Sequence, residues 1–283
     1  MLIARTLPEL RAATARLRER AAALALVPTM GALHDGHGAL VAVAVRSGAA
    51  TVASIFVNPL QFEPTEDLAR YPRDEAGDLA KLEAWGCALA WLPDGATMYP
   101  PDGATAIVPA GPAELWEGAA RPGHFRGVAT VVAKLFGQVG AEVAYFGEKD
   151  WQQLQVVRRM AAVLHLPVAV AGVTTVREAD GLALSSRNRY LTEAERAHAP
   201  SLHRALRRAA AALEDGATAA LAAQRAELER DGFAVDYLAL VDGPSLRAIP
   251  AVQPGARLIV AARLGAVRLI DNIAASHTGG PGR

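Results

Sequence analysis

At 283 residues the chain is long enough for one large domain or two smaller ones, and length alone favours two. Half of it is apolar (52%) and a fifth is charged (20%), the balance of a globular protein that buries a real core. Lys plus Arg and Asp plus Glu both number 29, so the net charge is zero; this argues against a duplex-binding surface or a polybasic membrane patch, and leaves room for a local cluster around one small anion.

The N-terminus lacks the apolar core and small-residue cleavage site of a secretory leader, and its arginines fall on one side of a helical pattern. No run reaches the roughly 18 apolar residues a membrane span needs, so a soluble, cytoplasmic protein with neither nucleic acid nor membrane as partner is expected. Ala23–Pro28 reads as a buried strand, and Gly38–Arg46 as a helix after a glycine-rich turn. Ala50–Val57 is the next strand, Asp74–Trp85 a helix, and "CALAWLP" a third strand. Cys87, the only cysteine, reads there as a buried, inert thiol, and without a second one neither an intramolecular disulfide nor a Cys-based zinc site is possible.

Val128–Val139 reads as a helix, Glu142–Gly147 as a fourth strand, Trp151–His165 as a helix and Pro167–Val173 as a fifth strand. Short apolar strands alternating with helices predict an α/β fold, a parallel sheet covered on both faces with its ligands beyond the carboxyl ends of the strands. The pattern changes near Thr175. Glu193 to about Arg230 is alanine- and arginine-rich and helical, broken at "EDGAT", and "FAVDYLALVD" and "ARLIVAARLGAVRLIDNI" follow, the latter a hairpin turning at Leu264-Gly265-Ala266. A domain over 1–175 and a smaller α+β domain over 176–283 are therefore expected, with a disordered "HTGGPGR" tail.

The stretch "LVPTMGALHDGHGAL" carries His34 and His37 three apart among glycines. A structural metal is disfavoured, since further ligands are lacking and the spacing is not H-E-x-x-H. Gly31 to Gly36 satisfies G-x-x-x-x-G, but His37-Gly38 stands where a P-loop needs Lys-Ser/Thr, and G-x-G-x-x-G fails as well. A strand-to-helix turn with solvated histidines is the plain alternative. The other is a turn whose backbone N–H groups, helix dipole and imidazoles face phosphate, as nucleotidyl transfer requires.

Further polar motifs fall at strand ends. In "SIFVNPLQF", Asn58-Pro59 turns the chain out of the sheet and Gln61 offers a donor and an acceptor, or is only a surface amide. In "YFGEKDWQQL", Gly147 permits a tight turn, Lys149 is a cation for phosphate, Asp150 binds a sugar hydroxyl or caps a helix, and Gln153 faces the same opening; a solvated charge run explains Glu148-Lys149-Asp150 equally well. "ADGLALSSRNRYL" gathers Ser185, Ser186, Arg187 and Asn188, as a phosphate loop or as a linker before a Thr192-x-x-Glu195 capping box. "RPGHFRGVATVV" offers His124 and Arg126 to an acid. His165, His198, His203 and His277 are given no role.

"PTMGALHDGH" resembles the H-x-G-H signature of the nucleotidylyltransferase superfamily, which includes class I aminoacyl-tRNA synthetases. Together with "SIFVNPLQF", "EDLARYPR", "RPGHFRGV", "YFGEKDWQQL", "VREADGLALSSRNRYL" and "ARLGAVRLIDN", in order and spacing to about Ile273, it resembles the pantothenate synthetase (pantoate–β-alanine ligase) family. The resemblance implies a Rossmann-like domain, a smaller C-terminal domain closing over the site, and a homodimer. It implies that pantoate attacks the α-phosphorus of MgATP to give pantoyl adenylate and pyrophosphate, which β-alanine converts to pantothenate and AMP.

By the same resemblance His34, His37, Lys149 and Arg187 are catalytic, with His37 the proton donor. Met30, Gly31, Ala32, Leu33, His34, Asp35, Gly36, His37, Gly147, Glu148, Lys149, Asp150, Val176, Leu184, Ser185, Ser186 and Arg187 bind ATP; Gln61 and Gln153 bind pantoate, and Gln61 also β-alanine. No protein-held metal and no resident cofactor are implied, and a loop around Glu63–Tyr71 is the candidate cover. Gly38 stands where the family usually carries a larger apolar residue, which puts the packing there in question, and Trp151 replaces a Phe or Tyr. The alternatives are another small-molecule adenylyltransferase of the superfamily, which the neutral Gln61 and Gln153 disfavour, and a non-catalytic ATP-binding protein.

Overall fold

The computed structural model describes residues 1–62, 68, 71–103 and 105–275. Six strands, β1 (Leu2–Ala4), β2 (Leu24–Thr29), β3 (Ala50–Ile55), β4 (Leu89–Trp91), β5 (Val143–Gly147) and β6 (Ala169–Val173), form one sheet in the order β1-β4-β3-β2-β5-β6. Every pairing in it is parallel. From β2 the chain steps outward to β3 and β4, then returns to lay β5 on the other side of β2. The carboxyl ends of β2 and β5 therefore flank the reversal in strand order, where an open α/β sheet offers its crevice.

Helices α1 (Leu7–Arg18), α2 (Asp35–Arg46) and α3 (Glu75–Ala84), the short α4 (Gly95–Met98) and α5 (Trp116–Ala120), α6 (His124–Val139) and α7 (Trp151–Val163) lie between or beside these strands. Ala25 and Val27 of β2 join Leu40, Val41 and Ala44 of α2 and Leu82 of α3 in one apolar cluster. Leu24 and Leu26 point to the opposite face by strand alternation and are equally buried, so the sheet is covered on both sides. Cys87 is buried as expected, its thiol donating to the carbonyls of Thr51 and Leu89, and burial pushes its pKa up to about 11.

Local boundaries depart from the sequence pattern at several elements, three of them with a local cause. β1 pairs Leu2–Ala4 with Leu89–Trp91 as an edge strand, a length too short for a period of two to register. α2 starts at Asp35 rather than Gly38, because His34 caps it. α6 starts at His124 rather than Val128, entered through Gly123 at φ +85°.

The C-terminal elements are α8 (Glu193–His198), α9 (Ser201–Ala211) and α10 (Ala217–Arg230), followed by β7 (Phe233–Asp242), β8 (Ala256–Leu264) and β9 (Val267–Ala274) in an antiparallel sheet of order β7-β8-β9. Thr192 and Glu195 form the reciprocal capping box of α8. "EDGAT" separates α9 from α10 through Gly216 at φ +130°. Gly265, at φ +56°, turns the β8–β9 hairpin, with Leu264 paired to Val267. Leu202, Leu206, Leu228, Leu258 and Val260 centre the core of this half.

By contacts the chain divides into two compact units. One comprises Met1–Ala113, Glu117–Glu148 and Gln152–Val176; the other takes Glu114–Trp116, Lys149–Trp151 and the chain from Arg177 onward. Among the described residues no helix is long and apolar enough to cross a membrane. Of the proposed cover, residues 63–67 and 69–70 lie outside the described residues, as do His277 and the "HTGGPGR" tail.

Candidate active site

β2 ends at Thr29, whose hydroxyl donates to the Ser54 carbonyl of β3 (2.7 Å) and accepts from Gly31 N–H (3.2 Å). The chain then turns through two residues of positive φ, Gly31 (+80°) and Ala32 (+52°). For alanine this conformation costs about 1–2 kcal/mol, so something must hold it. Asp78 of α3, 2% exposed, accepts from Ala32 N–H at Oδ2 and from Leu33 N–H at Oδ1, both at 2.8 Å. Lys81, one turn further along α3, donates to the Leu33 carbonyl at 2.7 Å. A Cβ on Gly31 would stand 2.8 Å from Asp78 Oδ2, so only glycine fits. The N–H groups of Ala32 and Leu33 thus serve the chain's own carboxylate.

The histidines that follow form a capping box made of imidazoles. His34, the N-cap of α2, accepts from Gly36 N–H at Nδ1 (3.2 Å), and His37 Nδ1 accepts from His34 N–H (3.3 Å). The ring centroids lie 4.1 Å apart. A neutral imidazole that accepts at Nδ1 carries its proton on Nε2, so both rings are fixed as Nε2 donors at a helix N-terminus. Solvated histidines in a turn would not be locked in this way. Gly38 is explained as well: the Trp85 indole occupies its side-chain space, so packing is specified rather than weakened there.

Gln61 is more than a surface amide. Its Oε1 accepts from Asn58 Nδ2 (3.0 Å) and its Nε2 reaches Met30 Sδ (2.9 Å), which joins the β3 end to the histidine segment. Asn58, 1% exposed, also donates to the Gly127 carbonyl (3.1 Å) and accepts from Tyr99 O–H (2.7 Å) and Leu60 N–H (3.2 Å). The Gln61 carbonyl receives Arg121 (3.2 Å) and lies 3.0 Å from His124 Nδ1. Gly127 lets α6 approach this turn, since a Cβ there would overlap the Leu60 carbonyl at 2.2 Å. Of the two residues expected from "RPGHFRGV", His124 lies beside Gln61 and Arg126 is exposed; buried Arg121, bonded also to Glu117 (3.4 Å), joins His124 there.

β5 ends at Gly147, which has no positive φ, and a tight 3-10 turn over Glu148–Asp150 follows directly. Asn272 of β9, itself buried, donates to the Lys149 carbonyl (2.9 Å), and Lys149 Nζ lies 3.8 Å from Asp150. Trp151 donates its indole N–H to the Gly243 carbonyl (2.8 Å) and stacks under Arg257 (3.5 Å), so this aromatic position ties residues 149–151 to the C-terminal sheet. Gln153 is partly exposed on α7, whereas its neighbour Gln152 is buried and bonded to Glu117 N–H and the Pro112 carbonyl.

Ser185 caps a 3-10 turn over Ser186–Tyr190 by accepting from Arg187 N–H (3.2 Å). Asn188 fastens that turn to the Ala183 carbonyl (3.0 Å) and to Glu178 (3.3 Å), and Arg196 grips Glu178 and Asp180 at 2.6 Å each. Leu184, Ser185, Ser186 and Arg187 are each partly exposed, as is Val176. Sequence reasoning missed Asp78, Lys81, Tyr99 and Arg121 as supports. The only local signal was an Asp and a Lys three apart on α3.

A parallel sheet with an imidazole-capped helix at its switch-point strand makes this a Rossmann-like α/β protein. The sequence profile described as pantoate-beta-alanine ligase matches residues 2–274, and the chain belongs to that family. It is 60% identical to a pantothenate synthetase of Acidiphilium cryptum (strain JF-5), over 97% of this chain and 100% of that one. It is 58% identical to one from Granulibacter bethesdensis, over 96% of each. A crystal structure of pantothenate synthetase from Thermus thermophilus superposes with a TM-score of 0.92 at 49% identity, covering 97% of this chain and 99% of that one. A Francisella tularensis pantoate-beta-alanine ligase, complexed with beta-gamma ATP and beta-alanine, gives 0.82 at 30% identity, covering 97% and 98%. The chain is accordingly an enzyme, a ligase acting on pantoate and β-alanine.

Proposed function

We propose that this ligase works through an acyl adenylate: pantoate's carboxylate attacks the α-phosphorus of MgATP, pyrophosphate leaves, and the amine of β-alanine then displaces AMP from the acyl carbon. A carboxylate is a poor acyl donor until its oxygen becomes a good leaving group, which AMP supplies. The observation that carries this reading is the pair of imidazoles held as Nε2 donors by their own capping box. Such donors meet phosphate charge as it grows during nucleotidyl transfer without titrating a fixed cation into the site. The relative crystallised with beta-gamma ATP and beta-alanine supports the choice of nucleotide and amine.

In this reading His34 and His37 bond ATP phosphates, with His37 donating the proton. Lys149 and Arg187 neutralise phosphate charge, assisted by Ser185 and Ser186. Met30, Gly31, Ala32, Leu33, Asp35 and Gly36 line the nucleotide side, and Gly147, Glu148, Asp150, Val176 and Leu184 the nucleoside side. Gln61 and Gln153 take pantoate, and Gln61 the incoming amine. Magnesium arrives on the ATP oxygens and keeps part of its water shell, as that hard ion does in nucleotide sites. The same reading carries a catalytic domain over 1–175, a smaller domain over 176–283, a cytoplasmic location and a homodimer.

The test is incubation with ATP, Mg²⁺, pantoate and β-alanine, omitting each in turn, with products identified by mass. Pyrophosphate that appears without β-alanine, and AMP with pantothenate only when all are present, is the expected pattern. Pyrophosphate release that ignores pantoate contradicts the reading. Light scattering tests the dimer.

A further inference from the structure

The peptide turn before the histidines has the geometry that elsewhere cradles phosphate. Consecutive residues of positive φ, Gly31 and Ala32, aim successive N–H groups, those of Ala32 and Leu33, toward one point. That point is filled by the buried Asp78 carboxylate, one oxygen to each N–H at 2.8 Å. Its oxygen also takes the volume a Cβ on Gly31 would need. Lys81 closes the arrangement by holding the carbonyl of Leu33, the residue immediately before His34.

We infer that Asp78 is a built-in anion that occupies this peptide nest and, with Lys81, positions the two imidazoles, so that an incoming triphosphate meets the histidine Nε2–H groups and not the turn. Three features make this more than packing. A carboxylate is costly to bury, and both oxygens of buried Asp78 are spent on one loop. The strained Ala32 sits between the two bonded peptide groups, where relaxation would move the backbone that enters His34. The α3 helix supplies both the acceptor and the donor from one face, three residues apart. Asp78 and Lys81 are thus positioning residues for the reaction, acting through His34 and His37 without touching substrate.

The inference rests on the adenylate reading, and its experiment separates the two. Wild-type protein is first assayed for pantoate-dependent pyrophosphate release, which tests the reading alone. Asp78→Asn, which turns an NH₂ toward one of the two N–H groups, and Lys81→Met are then compared with it by steady-state kinetics, by thermal melting and by ¹⁵N NMR of the histidine rings. We expect kcat for adenylate formation to fall at least tenfold in Asp78→Asn and several-fold in Lys81→Met, with a smaller change in the KM for ATP. In both variants the Nε2–H tautomer signals of His34 and His37 should weaken or exchange, and Asp78→Glu should restore part of the rate. Should Asp78→Asn fail to fold, Lys81→Met alone decides. Folded variants with wild-type kcat and unchanged ring signals would overturn the inference, even where wild type performs the reaction as proposed.

Discussion

The indole of Trp85 stands where a side chain at Gly38 would go: a Cβ built there meets Cε2 at 2.9 Å and Cζ2 at 3.0 Å. Inside a helix Gly→Ala normally stabilises by about 0.5–1 kcal/mol, whereas overpacking a filled site costs about 1–3 kcal/mol. At Gly38 the second effect should win. Gly38→Ala is expected to lower stability by roughly 1 kcal/mol in denaturant titration, and the same change in a Trp85→Leu background to be neutral or stabilising. Equal effects in both backgrounds would show that the indole is not what excludes a side chain.

His37→Ala and Lys149→Ala should each slow adenylate formation by about 100-fold or more, on the order of 3 kcal/mol, the usual consequence of removing a donor aimed at developing charge. Neither change opens the core, since both side chains are only partly buried. Pyrophosphate release close to normal in both variants would remove them from the chemistry.

What the sequence made legible is what is encoded locally. The H-x-G-H segment, the strand-ending Asn58-Pro59 and the Thr192-x-x-Glu195 box each declare themselves within a few residues, and strands β2 to β6 carry apolar runs long enough to recognise. The supports did not, because their partners are distant and mostly backbone. Asp78 binds peptide groups 45 and 46 residues away, Asn58 a carbonyl 69 away, and Asn272 holds the Lys149 carbonyl across 123. A glycine's reason is equally remote. Gly38 reads in the sequence as a weakened helix start, and its reason is the indole of Trp85, far along the chain.

Tyr99→Phe removes one hydroxyl, the donor to Asn58 Oδ1 at 2.7 Å. Stability should fall by about 1 kcal/mol, the usual net worth of such a bond. Because Asn58 in turn holds Gln61, the KM for pantoate should rise several-fold while kcat changes less. Burial pushes the Tyr99 phenol up to about 12, so it stays a neutral donor at working pH. The pH–rate profiles of wild type and Tyr99→Phe should therefore share one shape below about pH 10; a limb present only in wild type would make Tyr99 a titrating participant.

Asp271 offers a stability test in the C-terminal unit. Its carboxylate, 4% exposed as a residue, takes Arg177 in a two-pronged pair at 2.7 and 2.9 Å, with His203 Nδ1 3.5 Å away. Burial pushes the carboxyl up, but the neighbouring His203 and the bonds and charge of Arg177 leave it below the ordinary aspartate range. A folded pKa below the unfolded one stabilises the protein above the unfolded value, near 3.9, and that contribution is lost as pH falls through the folded value. Asp271→Asn strands a largely buried guanidinium, and the cost at pH 7 should be about 3 kcal/mol, the lower part of the range for breaking such a pair because Arg177 keeps some solvent contact. In melts of the whole chain, the gap between wild type and variant should hold steady from pH 7 to 5 and shrink below about pH 4 as the wild-type carboxylate is protonated. A gap that stays constant down to pH 3 would mean that the charge on Asp271 contributes nothing and that only its shape is used.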